Sequence, residues 1–339
     1  MRWAKGIFLL SAALWAQAPT GVQPRPPAES ACCPQQGGAE KQQLLWEKLK
    51  RVVEEADDKL DGTMGVAILD LTSGQKLLLN ADEILPEASS IKIAVLAELY
   101  HQEQQAATGA SGKARLRDLY TVRQSDLVAG SDIMLGLTPG VTRVTNRDLA
   151  TMMVAVSDNS AANLLIDRLG MENVNGLLNS LGLHHTRLRR RMMDVQAAGE
   201  GRENVSTPRE MVSLLEAIFR GRVLNKELTA DYLKVLSTPK DSALRRGLPE
   251  AVRSAGKPGA LENVRTDSGI VFAKNRPFVI AVMTTYLKDE KAGEAAISKI
   301  SSAAYSYFER LGDSSAYGRV ISCLPDCAGV ETPPPAAPR

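Results

Sequence analysis

The sequence predicts an α+β fold, and three observations predict it. Apolar residues recur at helical spacing near both ends, runs rich in β-branched residues lie just inside those helices, and the middle reads as helix after helix. Leu44, Leu45, Leu49, Val52 and Val53 place an amphipathic helix over residues 40–57. A hairpin follows: residues 63–69 form a short apolar run, Thr72-Ser73-Gly74-Gln75 is turn chemistry, and residues 76–80 return. Helices are expected over residues 146–156, 160–169 and 172–181, with Gly170 and Gly182 ending the last two. Thr207-Pro208-Arg209-Glu210 has a Thr cap, Pro at the first helical position and Glu three residues after the cap, so the next helix runs to Gly221. Residues 264–272 and 277–286 read as strands, and a last helix covers residues 292–311. Early and late strands then share one sheet, the terminal helices cover one of its faces, and the crevice beside the helical insertion is the natural place for a site.

At 339 residues, with 44% hydrophobic and 24% charged, the chain can bury a substantial core. A formal net charge of +2, without long runs of one sign, gives no basic surface for DNA or RNA. Arg2 and Lys5, the apolar run 7–15 and the small residues of Ala16-Gln17-Ala18 read in order as an export signal over residues 1–18, too short to span a bilayer, although Pro19 sits awkwardly after that cut. A periplasmic or secreted protein is expected. Four cysteines, Cys32, Cys33, Cys323 and Cys327, lie outside the central region; in an oxidising compartment they allow three pairings, and free thiols are the plain alternative. The three histidines (His101, His184, His185) and the absence of Cys/His zinc spacing argue for no metal and no cofactor.

Three motifs carry chemistry. Ser89-Ser90-Ile91-Lys92 opens an apolar helix after Pro86, which puts Lys92 one turn from Ser89 on the same face. A Ser at a helix start is activated by an amine that takes its proton, beside backbone N–H groups that stabilise negative charge. Ser-x-x-Lys also occurs at Ser73/Lys76, Ser237/Lys240 and Ser254/Lys257, but these lie in a hairpin turn, before a Pro and on a strand, so only Ser89 heads a helix. Ser157-Asp158-Asn159 separates two helices, where it can point a hydroxyl and an amide into a cleft. Lys257-Pro258-Gly259 belongs on a strand edging that cleft, where Lys pairs with a carboxylate and Gly admits a close backbone. In isolation each has an ordinary alternative: an N-cap with a solvated Lys, a polar interhelical turn, and a turn before a strand. Lys291-Ala292-Gly293 has the same form as the third but lies in a charged, solvated stretch.

Together and in this order, the three motifs resemble the signature of class A β-lactamases and related penicillin-binding proteins. The resemblance extends to the hairpin before Ser89, to residues 124–131 and to residues 163–170, and covers about residues 40–312. It implies an antiparallel sheet flanked by the N- and C-terminal helices, with an all-helical subdomain. The α/β part is expected over 40–84 and 244–312 and the helical part over 85–243, between a flexible 19–39 linker and a 313–339 tail. It further implies Ser89 as nucleophile, Lys92 as proton acceptor, Ser157 as proton shuttle, Asn159 as substrate ligand, Lys257 as partner of the substrate carboxylate, Gly259 beside the bound substrate, and an oxyanion hole from the N–H groups of Ser89 and Ala260.

Two departures stand out. Where class A enzymes carry the Glu that activates the deacylating water, Thr186-Arg187-Leu188-Arg189-Arg190-Arg191-Met192 places Met192, which accepts no proton; Asp194, Glu200 and Glu203 are the nearby acids. Pro258 stands where the family has a hydroxyl residue. The first expectation is therefore a monomeric serine hydrolase of β-lactams. The second is a penicillin-binding D-alanyl-D-alanine peptidase acting on cell-wall peptide. The third is a non-catalytic cell-wall binding protein, against which Ser89 and Lys92 argue, since a binder needs neither.

Overall fold

The computed structural model describes residues 36–315 and 317–319. The expected export signal, the four cysteines and the Pro-rich tail lie outside the described residues. In chain order the elements are α1 (Gln36–Asp58), β1 (Thr63–Asp70), β2 (Lys76–Leu79), β3 (Leu85–Pro86), a 3₁₀ turn (Ala88–Ile91), α2 (Lys92–Ala107), β4 (Leu119–Thr121), β5 (Arg143–Thr145), α3 (Asn146–Ala155), α4 (Asn159–Leu169) and α5 (Met171–Ser180). There follow α6 (Val195–Gly199), β6 (Val205–Ser206), α7 (Pro208–Phe219), α8 (Lys226–Leu236), α9 (Ala243–Arg246), β7 (Ser254–Leu261), β8 (Val264–Val271), β9 (Phe278–Thr285) and α10 (Glu290–Asp313).

One antiparallel sheet of five strands, ordered β2-β1-β9-β8-β7, joins the early hairpin to the late strands. Its side-chain alternation divides the interior in two. On β9, Val279, Ala281 and Met283 face the helical insertion, while Phe278, Ile280 and Val282 face the terminal helices. On β1, Ala67 and Leu69 take the first side and Met64, Val66 and Ile68 the second. Helices α1 and α10 close the second core, with Trp46 against Tyr307 at 5.2 Å between ring centroids and Phe278 stacked on Phe308 at 4.4 Å. On α1 the buried stripe is Trp46, Leu49, Val53 and Ala56, while Leu44, expected on that face, is exposed.

Helix α2 runs through the middle of the other core, and every residue from Lys92 to Tyr100 is buried. An apolar helix surrounded on all sides needs no amphipathic face. It presents the end carrying Lys92 to the sheet. Helix α7 starts as its sequence dictates, with Thr207 Oγ1 accepting from the Glu210 N–H at 3.1 Å and Pro208 at the first turn.

Helix α1 begins at Gln36, so residues 36–39 are helical rather than part of a flexible 19–39 linker. The two-stranded ribbons β3–β6 and β4–β5 were not expected, because strands of two or three residues are too short to display alternation. Among the described residues no helix is long and apolar enough to cross a membrane.

Candidate active site

The segment carrying Ser89 is bolted to both of its neighbours through backbone groups. The Glu87 N–H donates to the Asn204 carbonyl at 2.8 Å, and the Glu87 carbonyl accepts from Thr266 Oγ1 on β8 at 3.1 Å. Ser90 Oγ donates to the Lys257 carbonyl on β7 at 2.9 Å and meets Thr266 Oγ1 at 2.7 Å. Ala88 takes φ 49°, a left-handed value uncommon for a residue with a Cβ, and so turns the chain sharply just before Ser89. Such strain persists where surrounding contacts over-determine it.

Across the crevice, α3 ends in a left-handed turn at Ser157 (φ 59°). Lys92 Nζ, fully buried, donates to the Ser157 carbonyl at 2.6 Å and to Asn159 Oδ1 at 2.9 Å, and lies 3.0 Å from Ser157 Oγ. Ser157 Oγ in turn lies 2.9 Å from Ser89 Oγ. The amine thus meets Ser89 through Ser157 rather than directly: the spacing puts Lys92 on the right face, and the loop between α3 and α4 supplies the middle oxygen. Burial pushes the Lys92 ammonium well below the ordinary lysine range, Lys257 pushes it further the same way, and Asp158 opposes both. An amine that readily gives up its charge can accept the Ser157 proton, so an unbroken chain of proton carriers joins Ser89 to Lys92.

Asp158 itself points away from the crevice. Its carboxylate caps α4 through the Ala161 N–H at 2.9 Å and accepts from the Ile133 and Met134 N–H groups at 3.2 and 2.9 Å. Within the tripeptide, then, the outer two residues face the cleft and the middle one holds the cleft wall.

Lys257 lies on β7, the sheet's edge strand, and is 2% exposed, so it is no solvated turn residue. Its Nζ donates to the Pro258 carbonyl at 2.9 Å. A Cβ on Gly259 would sit 2.5 Å from Thr266 Oγ1 and 2.7 Å from the Glu87 carbonyl. Packing of β7 against the Ser89 segment therefore demands this glycine, independently of any need for a substrate to approach. Lys291, the decoy, is exposed.

Two cavities meet at Ser89, Asn159 and Ala260. One, of about 390 Å³, is charged: Lys257, Arg246, Arg265 and Asp267 line it. The other, of about 450 Å³, is largely apolar, with Met192, Met193, Val195 and Ala198. Such a cleft suits an amphiphilic molecule with an anionic group on one side of Ser89 and an apolar group on the other. Sequence reasoning missed Arg265, which is held by Glu290 and by Glu294 at 3.0 Å; its charge sits in a strand with no motif around it.

Met192 is 7% exposed and held at both ends of its backbone by Asn163. The nearby acids are committed elsewhere. Asp194 caps α6 through the Ala197 N–H at 3.0 Å, Glu203 pairs with Arg190 at 2.8 Å, and Glu200 pairs with Arg202 at 2.5 Å. Among the described residues no group of three His, Cys, Asp or Glu side chains is gathered as a metal site.

Known proteins share this fold. Residues 44–308 match the model of the β-lactamase enzyme family. The chain is 28% identical to β-lactamase SME-1 of Serratia marcescens over 264 residues, which cover 74% of this chain and 86% of that one. It is similar in structure to the β-lactamase of Sphaerobacter thermophilus, with a TM-score of 0.68 and 31% identity over 76% of this chain and 96% of that one. It also shares the fold of PBP-A, with a TM-score of 0.69 and 24% identity over 77% of this chain and 96% of that one. A family match over most of the chain, on a sheet-and-helix frame that brings Ser89, Lys92, Ser157 and Lys257 to one crevice, leads to one conclusion: the chain belongs to the β-lactamase enzyme family, in its class A serine branch.

Proposed function

We propose that this protein opens β-lactam rings through an acyl-enzyme on Ser89. The observation that carries the proposal is the chain Ser89 Oγ to Ser157 Oγ to Lys92 Nζ, at 2.9 and 3.0 Å. In this reading the Ser89 oxygen attacks the lactam carbonyl carbon and its proton moves through Ser157 toward Lys92. The carbon–nitrogen bond then breaks, and the ring nitrogen takes a proton back from Ser157. The N–H groups of Ser89 and Ala260 stabilise the carbonyl oxygen as it gains charge. Asn159 holds the substrate amide, Gly259 lies beside its backbone, and Lys257, supported by Arg265, faces the carboxylate. Export to the periplasm or beyond and a monomeric state complete the proposal.

Met192 favours a second reading in which water attacks the ester slowly. The protein would then behave as a penicillin-binding D-alanyl-D-alanine peptidase whose covalent adduct persists. Turnover of a chromogenic cephalosporin by purified protein separates the two. Sustained hydrolysis abolished by Ser89→Ala supports the hydrolase; a single burst equal to the enzyme concentration supports the peptidase; no colour change with either protein sinks both.

A further inference from the structure

Of the Ser-x-x-Lys patterns outside the cleft, Ser237/Lys240 has a fate the sequence did not suggest. Lys240, in the loop between α8 and α9, donates through Nζ to the Leu236 carbonyl at 2.8 Å. It lines a cavity of about 370 Å³ beside Ser254 and Gly256 of β7, and Asp267 and Ser242 line both that cavity and the charged end of the cleft. Asp267, 1% exposed, is fixed by Ser242 Oγ at 2.5 Å and by the Leu244 N–H at 2.9 Å. One buried carboxylate thus lines both the cleft that holds Lys257 and the cavity that holds Lys240, while the two amines themselves donate to the Pro258 and Leu236 carbonyls.

We propose that Lys240 is a positioning residue for anionic substrates: it shares the Asp267 carboxylate with Lys257 and so leaves the cluster one positive charge in excess. With all three ionised, two ammonium groups and one carboxylate sum to +1, which an incoming carboxylate neutralises; burial pushes Asp267 up, and Ser242, the Leu244 N–H and the two lysine charges oppose that. With Lys240 absent, the Lys257 charge would be spent on Asp267. The device also offsets the hydroxyl lost at Pro258. The proposal rests on the reading of the cleft given above.

The lysines interact in the sense this requires. Burial and then the Lys240 charge push Lys257 down to about 7, while Asp267 opposes them; burial pushes Lys240 down to about 8, again against Asp267. The other charged groups around Lys257 are Lys92 from α2, Arg246 from α9 (paired with Asp241 and Glu294) and Arg265 from β8 (paired with Glu290 and Glu294).

Two readouts on Lys240→Met and Lys240→Arg test the proposal. The first is the ratio of acylation rates for penicillin and its methyl ester, followed by protein mass at pH 6.5. This ratio should fall roughly three- to tenfold in Lys240→Met, the scale of one charge near a protein surface, and hold in Lys240→Arg. The second is the ¹³C NMR titration of Lys257, whose midpoint should rise by on the order of one pH unit in Lys240→Met only. An unchanged ratio overturns the proposal, and so does an unmoved midpoint. If the wild type is acylated by neither compound while the midpoint moves, the lysine coupling stands and the Ser89 chemistry falls.

Discussion

Asn163 grips Met192 from both sides: its Oδ1 accepts from the Met192 N–H at 2.8 Å, and its Nδ2 donates to the Met192 carbonyl at 3.0 Å. This pair of bonds from the buried helix α4 fixes the loop that runs past Ser89. Its register is held through the Met192 backbone, so these bonds do not depend on the side chain at 192. Met192→Glu should therefore place a carboxylate in the cavity beside Ser89 without moving the loop. General-base assistance is worth roughly 10²–10⁴-fold, so the penicillin adduct should hydrolyse at least tenfold faster in the variant. Adduct lifetime by mass spectrometry checks this; an unchanged lifetime would show that the loop does not present residue 192 to the ester.

Lys92→Arg tests the proton acceptor. A guanidinium keeps its charge at any relevant pH, so it cannot take the Ser157 proton, and acylation should fall by about 10²-fold or more. On the proposed mechanism the working form of Lys92 is the neutral amine. Acylation should accordingly decline as pH falls, at a pH well below that of a free lysine, because burial and Lys257 lower the Lys92 value. Retention of wild-type acylation by Lys92→Arg would remove the amine from the mechanism.

Glu87 bears on stability. Its carboxyl is completely buried and neither oxygen has a hydrogen-bond partner. Burial raises it well above the usual 4.5, so the native chain keeps a proton that the unfolded chain releases. The stability this group permits is present in full below the unfolded value and is lost as pH rises toward the folded one. Glu87→Met should raise stability by about 1–3 kcal/mol, more at pH 8 than at pH 5, as read from Tm. A lower Tm at both pH values would mean that the carboxyl has a partner.

Asp158 provides the converse case. Its three backbone acceptor bonds hold the start of α4 and the 133–134 segment in place. Asp158→Ala removes a cap and two hydrogen bonds to a buried charge, at a cost of about 3 kcal/mol, which is roughly a 6–12 °C fall in Tm for a domain of this size. A fall below roughly 2 °C would show that water replaces the carboxylate, since about 3 kcal/mol cannot be lost with so small a shift.

Much of this arrangement was legible in the sequence because each signal was local. Helix α7 declares its start in four residues, and the continuous apolar run of β9 fits a strand buried on both faces between two cores. Serines at 89 and 157 stood out by context, one heading a helix and the other between two. What local pattern does not carry is partnership across the fold. The route from Ser89 to Lys92 through Ser157 depends on a left-handed turn at a serine, which no propensity signals. The glycine at 259 answers to a carbonyl 172 residues away in sequence at Glu87. Lys240 sits in a Ser-x-x-Lys pattern that heads no helix, yet the fold buries its amine in a cavity that Asp267 also lines, where it acquires an electrostatic role.

The proposed function turns on whether Ser89 is acylated. The most direct measurement is the intact mass of the protein after exposure to penicillin, with the adduct located by peptide mapping. The account predicts a gain of one penicillin mass on the peptide containing Ser89, lost in Ser89→Ala and transient or lasting according to how well water is activated beside Met192. An adduct on another residue would contradict it. So would an unmodified wild-type protein sampled from milliseconds to hours and showing no hydrolysis of the drug.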